Sequence, residues 1–322
     1  MQHNSQILSI IIPTKNEEKF IMKCLDSIKR AEITGLKIEM IIVDNGSCDL
    51  TREIANKYSA KIIEKKGGTI AHLRNLGAKE AKGEFLAFID ADCIITKNIF
   101  VDALRYFNNP EIAAVGARPG IPNKSTWVQK TWAYQRNENG VQQVYWLSSS
   151  NFIVRKSVFF EFDGFNEDLI TCEDYDLGVR ICSKYKLISD ENIRSIHLRE
   201  PATVKDFFLK EIWRGKSNLL GFLSHKFQWQ ELPSIIMPFF SIGLIISFPF
   251  LFYNSYYEVL FLGCFLFFFI PFLMIFKKQK FNLPINTYIK LYFLAIVYLL
   301  ARAFSMLLGI YEGILKLIKK DI

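Results

Sequence analysis

The sequence predicts an α/β domain built on an open sheet, followed by an amphipathic segment and about three C-terminal transmembrane helices. Over roughly the first ninety residues, short β-branched runs alternate with segments of helical periodicity, as strands and crossover helices do in open α/β sheets. After Leu232 the sequence becomes almost wholly apolar. We therefore expect three parts, comprising residues 1–202, 203–232 and 233–322.

The composition favours a membrane partner over nucleic acid. Apolar residues make up 50% of the 322 residues and 29 are Phe, which is high for a purely soluble protein. The net charge of +8 is not arranged as a stripe of Arg and Lys interleaved with aromatic residues, so no nucleic-acid site is predicted. Many basic residues flank the apolar segments instead, as expected beside anionic lipid headgroups.

The cysteines and the N-terminus predict a cytosolic domain. The six cysteines contain no C-x-x-C pair and no zinc-finger spacing, so we expect them to be reduced. The first residues, MQHNSQILSIIIPTKNEE, lack a basic region, and their apolar run is too short for a secretory signal.

The elements of the predicted sheet follow one another closely. The continuous β-branched run Ile7–Ile12 is typical of a buried parallel strand. Ser47 and Asp49 are candidate caps of a helix that begins near Thr51. The remaining predicted elements are a helix over Lys19–Ala31, strands over Ile38–Val43 and Lys61–Glu64, a helix over Ala71–Ala81 and a strand over Phe85–Ile89.

Three polar clusters follow the predicted strands and indicate a ligand site. They are Pro13–Glu17, Asp44–Gly46 and Asp90–Asp92, and ligands of open α/β sheets bind beyond the carboxyl ends of the strands. Asp90 and Asp92 stand where a buried strand emerges, and unpaired charges there would be costly. A divalent cation, which favours carboxylate oxygens, fits this position better than the alternative of a simple surface turn.

Residues 203–227 predict one or two amphipathic helices lying in a membrane interface. The alternative is a helix that packs on a protein core. The apolar residues near one helical face are Val204, Phe208, Ile212, Leu219, Leu223 and Phe227.

Three apolar stretches predict the membrane helices: Ser234–Tyr253, Val259–Phe276 and Tyr288–Tyr311. Each approaches or exceeds the roughly 20 residues needed to cross a bilayer. The loop between the second and third is basic, so it should share the cytosol with the first domain. That topology places the C-terminus on the far side, whereas Lys316, Lys319 and Lys320 favour the cytosol, so the side of the C-terminus stays open.

Arg302 lies inside the third apolar stretch and is not expected to face lipid. Glu312 and a lipid phosphate are the two partners that we consider for it.

Four motifs follow one another through about the first 200 residues: SIIIPTKNEEKFIMKCLDSI, IIVDNGSCDLT, HLRNLGAKEAKGEFLAFIDAD and CEDYDLGVRI. In this order they together resemble the inverting glycosyltransferase family 2. The resemblance implies a GT-A fold, which is a doubly wound nucleotide-sugar-binding domain. It also implies a membrane-anchored, metal-dependent enzyme of cell-envelope glycan synthesis that transfers a hexose from a UDP- or GDP-sugar.

The resemblance assigns several residues to the nucleotide sugar. Asp44 would accept from a base N–H, whereas Asn45 stands where the family often has a second acid, which leaves the ribose contact and the nucleobase open. Arg74 and Asn75 resemble the A-R-N-x-G segment beside the diphosphate. The remaining residues that match nucleotide-binding positions are Pro13, Thr14, Asn16 and Glu17.

Asp90-Ala91-Asp92 resembles the D-x-D motif that holds Mg²⁺ or Mn²⁺ between the two donor phosphates. By this resemblance Asp92 is the more direct metal ligand, while Asp90 and Ala91 also contact the sugar nucleotide. His197 stands where some members place a metal-binding histidine, and the alternative for it is a structural role.

Asp174 matches the catalytic carboxylate that takes a proton from the acceptor hydroxyl, and Glu173 would orient the site. Their alternative role is to place negative charge at a helix N-terminus.

Trp213 and Arg214 are candidate contacts to the diphosphate or a lipid headgroup. They lie in LKEIWRGKS, which does not match the Q-x-x-R-W of processive synthases, so we expect transfer of one sugar to a lipid-linked or membrane-associated acceptor.

Two other functions stay open from the sequence. One is a processive polysaccharide synthase, and the other is a membrane module that binds nucleotide sugars without catalysis.

Overall fold

A computed structural model describes residues 6–33, 35–136, 140–224, 232–279 and 283–320. The chain divides into two compact units. The first comprises Met1–Asn123 and Asn137–Glu200, and the second comprises Lys124–Arg136 and Pro201–Ile322.

All the described strands belong to the first unit. In chain order they are β1 (Gln6–Thr14), β2 (Leu36–Asp44), β3 (Lys61–Glu64), β4 (Phe85–Ile89), β5 (Cys93–Ile95), β6 (Ile112–Gly116), β7 (Val141–Val144), β8 (Asn151–Arg155), β9 (Lys186–Asp190) and β10 (Ser195–His197). The helices are α1 (Ile21–Lys29), α2 (Thr51–Asn56), α3 (Ile70–Glu80), α4 (Ile99–Tyr106), α5 (Trp127–Arg136), α6 (Lys156–Glu161), α7 (Glu173–Ile181), α8 (Val204–Gly215), α9 (Asn218–Ser224), α10 (Leu232–Tyr253), α11 (Tyr257–Gln279) and α12 (Ile285–Lys320).

The first unit is built on an eight-stranded mixed sheet in the order β3-β2-β1-β4-β8-β6-β9-β7. The four strands from β3 to β4 run parallel, as the alternation of strands and helices predicts. β8 then pairs antiparallel with both β4 and β6, and β7 pairs antiparallel with β9. The predicted open α/β sheet is confirmed, with a parallel half and a mixed half.

Helices cover both faces of this sheet because its central strands are apolar on both sides. Leu8, Ile10 and Ile12 of β1 pack in one cluster with α1 and α4, whereas Ile11 packs in the other with α3, α6 and α7. Side chains alternate between faces along a strand, so a run that is buried on both sides reads as continuously apolar.

The predicted helix boundaries shift by one or two residues where loops hold the chain. α1 begins at Ile21 rather than Lys19, and α3 begins at Ile70 rather than Ala71. Asp49 accepts from the backbone N–H of Thr51, as expected of a residue at the start of α2. Ser47, the other candidate cap, binds Asp44 instead, so it stabilises the strand end rather than the helix.

Gly116 marks the closest approach of β6 to β8. A Cβ at this position would overlap the Asn151 carbonyl oxygen, which belongs to the backbone and cannot rotate away. We expect Gly116→Ala to lower the free energy of unfolding by about 1–3 kcal/mol, the usual cost of overpacking a core. Denaturant unfolding checks this, with Val141→Ala on the exposed edge strand β7 as the control. Equal stability of the two variants would contradict the close approach.

In the second unit, α8 packs on α5 and α12 through an aromatic cluster. Val128, Phe207 and Leu294 are buried together, and the Trp132 ring lies 4.7 Å from Phe207 between ring centroids. The buried side of α8 runs through Phe207 and Glu211, and Val204 of the predicted apolar face packs against the same cluster, whereas Phe208 and Ile212 are half-buried. This side of α8 packs on protein, and the amphipathic interfacial segment over residues 203–232 stays a prediction. Leu219 and Leu223 are exposed on α9, and Phe227 lies outside the described residues.

Arg302 pairs with Glu211, a partner that the sequence did not suggest. Arg302 Nη2 lies 3.0 Å from Glu211 Oε2, and Arg214 Nη1 lies 2.6 Å from Glu211 Oε1. Glu211 is only 1% exposed, and a buried carboxylate needs such partners to stay charged. The side chain of Glu312 lies outside the described residues.

Two of the described helices contain apolar stretches long enough to cross a membrane, Ser234–Tyr253 and Ile285–Gly309. The corresponding stretch of α11, Tyr257–Leu273, is shorter. The prediction of about three transmembrane helices is therefore not confirmed.

Candidate active site

The fold brings together the three polar loops at the carboxyl ends of β1, β2 and β4. β1 lies between β2 and β4, and Thr14 at the end of β1 is the register partner of Asp44 at the end of β2. Asp90 directly follows β4 on the other side of β1. This convergence matches the expectation for a ligand site in an open α/β sheet.

The loops after β1 and β2 are tied to each other by hydrogen bonds. The Asp44 carboxylate is fully buried and accepts from Ser47 N–H (2.9 Å), Ser47 Oγ (2.5 Å) and Thr14 Oγ1 (3.2 Å). Asn16, in a left-handed conformation with φ of 56°, donates its N–H to Ser47 Oγ and accepts from Cys48 N–H. A strained non-glycine residue held by such bonds is typical of a preorganised binding loop.

Pro13, Asn45 and Ala91 have mainly structural contacts. Pro13 is buried in β1 opposite Val43, and Ala91 is only 3% exposed. Asn45 Oδ1 accepts from Gly67 N–H at 2.7 Å. The residue that departs from the family pattern thus uses its side-chain oxygen to hold the loop before α3.

Arg74 connects the two acidic motifs of the site. Its Nη2 donates to Asp90 Oδ1 and its Nη1 donates to Glu173 Oε1, each at 2.7 Å. The guanidinium is 3% exposed and lies 5.7 Å from the centre of the Phe165 ring. Residues from α3, the end of β4 and the start of α7 therefore form one ion network, in which Arg74 and Glu173 are buried and Asp90 is partly exposed.

Asn75, the neighbour of Arg74, holds the loop after α6. Its Nδ2 donates to the Phe165 carbonyl and to Glu167 Oε1, and its Oδ1 accepts from Phe165 N–H. Glu167 also lies 2.6 Å from His72 Nδ1. Asn75 thus positions the segment that carries Phe165 beneath Arg74.

Asp92 lies between a histidine and an arginine from the segment around β10. Its Oδ1 is 3.5 Å from His197 Nε2, and its Oδ2 accepts from Arg199 Nε at 3.2 Å. Arg199 Nη2 also donates to Glu17 Oε1 at 2.6 Å. Within the part of the chain that the structure describes, the buried Glu17 Oε2 has no hydrogen-bond partner. Burial raises the pKa of the Glu17 carboxyl. The positive charge of Arg199 lowers this pKa, the negative charges of Asp92 and Asp90 raise it, and the net shift is upward.

Cys93 lies beside Asp92 and opposite His197. β5 and β10 form a two-stranded antiparallel ladder in which Cys93 is the register partner of His197. The ligand atoms of Asp92, Cys93 and His197 all lie within 4.8 Å of one another. Burial raises the pKa of the Cys93 thiol well above its usual range, and the charges of Asp90 and Asp92 contribute.

Asp174 and Glu173 occupy the first turn of α7. The residue before this helix, Cys172, has a left-handed backbone conformation with φ of 67°. Asp174 Oδ2 accepts from Ser149 N–H at 3.2 Å, and Glu173 Oε1 accepts from Ser149 Oγ at 3.2 Å. Burial and the neighbouring charge of Glu173 raise the pKa of Asp174 to about 7. A carboxylate with this pKa can accept a proton near neutral pH.

Trp213 and Arg214 belong to the second unit. Trp213 is 48% exposed on α8, and Arg214 donates to Glu211. Their predicted contact to a diphosphate or headgroup stays a prediction.

Two side chains of this site, Arg199 and Ser149, were not predicted from the sequence. Arg199 follows β10, a strand of three residues that lacks an apolar run. Its position two residues after the candidate metal ligand His197 is the one signal in the sequence that could have suggested a role for Arg199. Ser149 lies in the run SSSN, where nothing in the sequence distinguishes one serine from the next.

The glycosyl transferase family 2 model matches residues 9–169, which is half of the 322-residue chain. Among curated proteins, the chain is 34% identical over 106 residues to the poly(ribitol-phosphate) beta-N-acetylglucosaminyltransferase TarS of Staphylococcus aureus, which covers 31% of the chain and 18% of that protein. It is 25% identical over 222 residues to the beta-monoglucosyldiacylglycerol synthase of Trichormus variabilis, covering 60% of the chain and 46% of that protein. The chain thus spans less than half the length of either relative.

Two solved structures share the fold. The mannosyltransferase PcManGT from Pyrobaculum calidifontis, in complex with GDP-Man and Mn²⁺, aligns with a TM-score of 0.60 at 15% identity over 95% of the chain and 87% of its own. S. aureus TarS 1-349 in complex with UDP-GlcNAc aligns with a TM-score of 0.51 at 21% identity over 71% of the chain and 70% of its own. The family match, which extends from β1 to the residues before α7 and includes the loops of the site, shows that this chain belongs to glycosyl transferase family 2.

Proposed function

We propose that this protein is a metal-dependent, inverting glycosyltransferase that moves one sugar from a nucleoside-diphosphate sugar to a lipid-linked or membrane-associated acceptor. The observation that carries the proposal is the Arg74 bridge between Asp90 and Glu173. It connects the D-x-D motif, which suits the donor, with the acidic pair that suits the acceptor. A transferase needs both groups in one site, whereas a protein that only binds nucleotide sugars needs no acceptor-side base.

The donor side is assigned to the loops after β1 and β2. A carboxylate offers about four acceptor positions, and the three hydrogen bonds to Asp44 from Thr14 and Ser47 leave one for a base N–H. Asn16 and Glu17 would complete the base and ribose site. The related proteins with bound UDP-GlcNAc and GDP-Man make UDP- and GDP-sugars the first donors to test.

The residues around Asp92 fit a divalent cation. Asp92 supplies a carboxylate oxygen and His197 a ring nitrogen 3.5 Å away, and the unpartnered Glu17 Oε2 provides further negative charge nearby. Asp92 and His197, with Asp90, would hold Mg²⁺ or Mn²⁺. When bound, the ion supplies positive charge against the charge that develops on the leaving diphosphate.

Asp174 is assigned as the general base of an inverting reaction. Its carboxylate takes the proton from the acceptor hydroxyl while that oxygen attacks the sugar C1 from the side opposite the diphosphate. Glu173 is held by Arg74 and Ser149, so it orients the base rather than acting as a second one.

The raised pKa of Asp174 predicts a pH dependence of transfer. Only the deprotonated carboxylate can act as base, so kcat/KM should rise with pH and level off above about 7. The pH profile of kcat/KM for the acceptor checks this. A profile that is flat through pH 7 would remove Asp174 as the titrating base.

The lipid-linked acceptor is supported by the two apolar stretches Ser234–Tyr253 and Ile285–Gly309. Such helices would keep the chain in a bilayer, with its catalytic domain in the cytosol.

The test of the lipid-linked acceptor uses native membranes and a donor labelled in its sugar. Label should pass into the organic phase as a lipid carrying one added sugar. A long water-soluble polymer would favour a processive synthase, and label that stays in free sugar would rule out a lipid acceptor.

A further inference from the structure

Cys93 adds a sulfur atom to the oxygen and nitrogen atoms of the proposed cation site. The antiparallel ladder of β5 and β10 pairs Cys93 directly with His197. Directly paired residues of such a ladder extend their side chains on the same face. Asp92 precedes Cys93 in the chain, and the three potential ligand atoms lie within 4.8 Å of one another.

An oxygen, a nitrogen and a sulfur ligand suit a different class of ion from Mg²⁺ or Mn²⁺. Hard cations prefer oxygen ligands, whereas Zn²⁺ binds cysteine sulfur and histidine nitrogen and is held more tightly than Mn²⁺ by such sites. We propose that Asp92, Cys93 and His197 form a binding site for a thiophilic divalent cation, with Zn²⁺ as the best-fitting ion. Occupation of this site excludes Mg²⁺ or Mn²⁺ from Asp92 and His197, a consequence that rests on the proposed function.

The surrounding structure favours a site with three protein ligands. The backbone around His197 is fixed, because Leu198 N–H donates to the Asp92 carbonyl and His197 N–H donates to the Gly120 carbonyl. Bonds of about 2.0–2.3 Å to a tetrahedral ion place its ligands roughly 3.3–3.8 Å apart. Asp92 and His197 already have this spacing, and all three ligand atoms lie within 4.8 Å of one another.

Binding of the cation changes the protonation of Cys93 but not the oxidation state of its sulfur or of the ion. The Cys93 thiol loses its proton to the buffer, and the sulfur donates the released electron pair to the ion. One proton per bound ion should therefore be released by Cys93.

The direct test is a Cd²⁺ titration of the full-length protein in detergent. Cd²⁺ is a thiophilic probe with an ultraviolet charge-transfer band that appears only on a thiolate ligand. The wild-type protein should develop this band with one ion per chain, and Cys93→Ser should not. Cys24→Ser is the matched control, because Cys24 is also fully buried and its Sγ lies 3.7 Å from the Asp90 carbonyl oxygen, but it is not part of the three-residue cluster.

Three outcomes of the titration would overturn the proposal: no band in the wild type, a band that persists in Cys93→Ser, or a band lost in Cys24→Ser. The titration needs no donor or acceptor, so it remains decisive even if the chain proves inactive as a transferase.

A second measurement tests the competition between ions. Zn²⁺ should inhibit Mn²⁺-supported donor consumption by the wild type and Cys24→Ser. In Cys93→Ser, the Zn²⁺ concentration for half inhibition should rise at least about 10-fold, since even outer-shell changes cost 10- to 100-fold in metal affinity. Each variant is compared with its own rate without Zn²⁺. Equal inhibition of all three proteins would contradict a role for Cys93.

Discussion

Replacing Asp174 with Asn should lower kcat about 10²–10⁴-fold, the usual contribution of a general base. The amide cannot take the acceptor proton, but it keeps the size of the side chain and can still accept from Ser149 N–H. Donor affinity should be nearly unchanged, because the contacts assigned to the nucleotide sugar come from α3 and from the loops after β1, β2 and β4. The measurements are single-sugar transfer and donor binding on the same preparation.

Asp168→Asn is the control for this experiment, because it removes a carboxylate from an exposed position of the same unit. It should transfer sugar at the wild-type rate. If Asp174→Asn retained more than about a tenth of the wild-type kcat, the loss would fall below the range for a general base and its assignment would be wrong. If it lost donor binding instead, Asp174 would belong to the donor site.

The second large effect is expected at Arg74. Arg74→Met leaves Asp90 and Glu173 without the guanidinium that pairs with both of them. Removing one partner of a buried ion pair usually costs about 3–5 kcal/mol of folding free energy. We expect a loss of this size in denaturant unfolding, together with loss of transfer.

Two further variants separate charge from packing at this position. Arg74→Lys keeps the charge but offers a single ammonium group in place of the planar fork that reaches both carboxylates, so its stability should be intermediate. Adding Glu173→Gln to Arg74→Met removes one of the two uncompensated charges and should recover part of the lost stability. If the double variant were no more stable than Arg74→Met, charge would not be the cause.

The sequence was informative wherever local pattern decides the structure. The β-branched run of β1 and the apolar strand before Asp90 predict the parallel half of the sheet, in which Thr14 and Asp44 are register partners. The convergence of the three loops was predictable for the same reason, since parallel strands end at one edge.

The partners of charged side chains were not predictable in this way. Arg74 and Glu173 are 99 residues apart in the chain, and no local spacing relates them. Glu211 is buried on α8 and pairs with Arg214 and Arg302, so a charged residue occupies a buried position where periodicity predicts an apolar one. Arg199 likewise depends on the short β5–β10 ladder, which lacks a strand-like run in the sequence.

Metal-dependent consumption of a nucleotide sugar tests the central claim most directly. UDP-, GDP- and dTDP-sugars are incubated with native membranes that contain the protein, in Mn²⁺ or in EDTA, and matched membranes contain Asp92→Asn. The proposed function predicts that one donor is consumed and its sugar transferred in Mn²⁺, with no transfer in EDTA or by Asp92→Asn. Transfer that continues in EDTA would contradict the metal site, and the absence of any donor binding or consumption would contradict the assignment of the protein as a transferase.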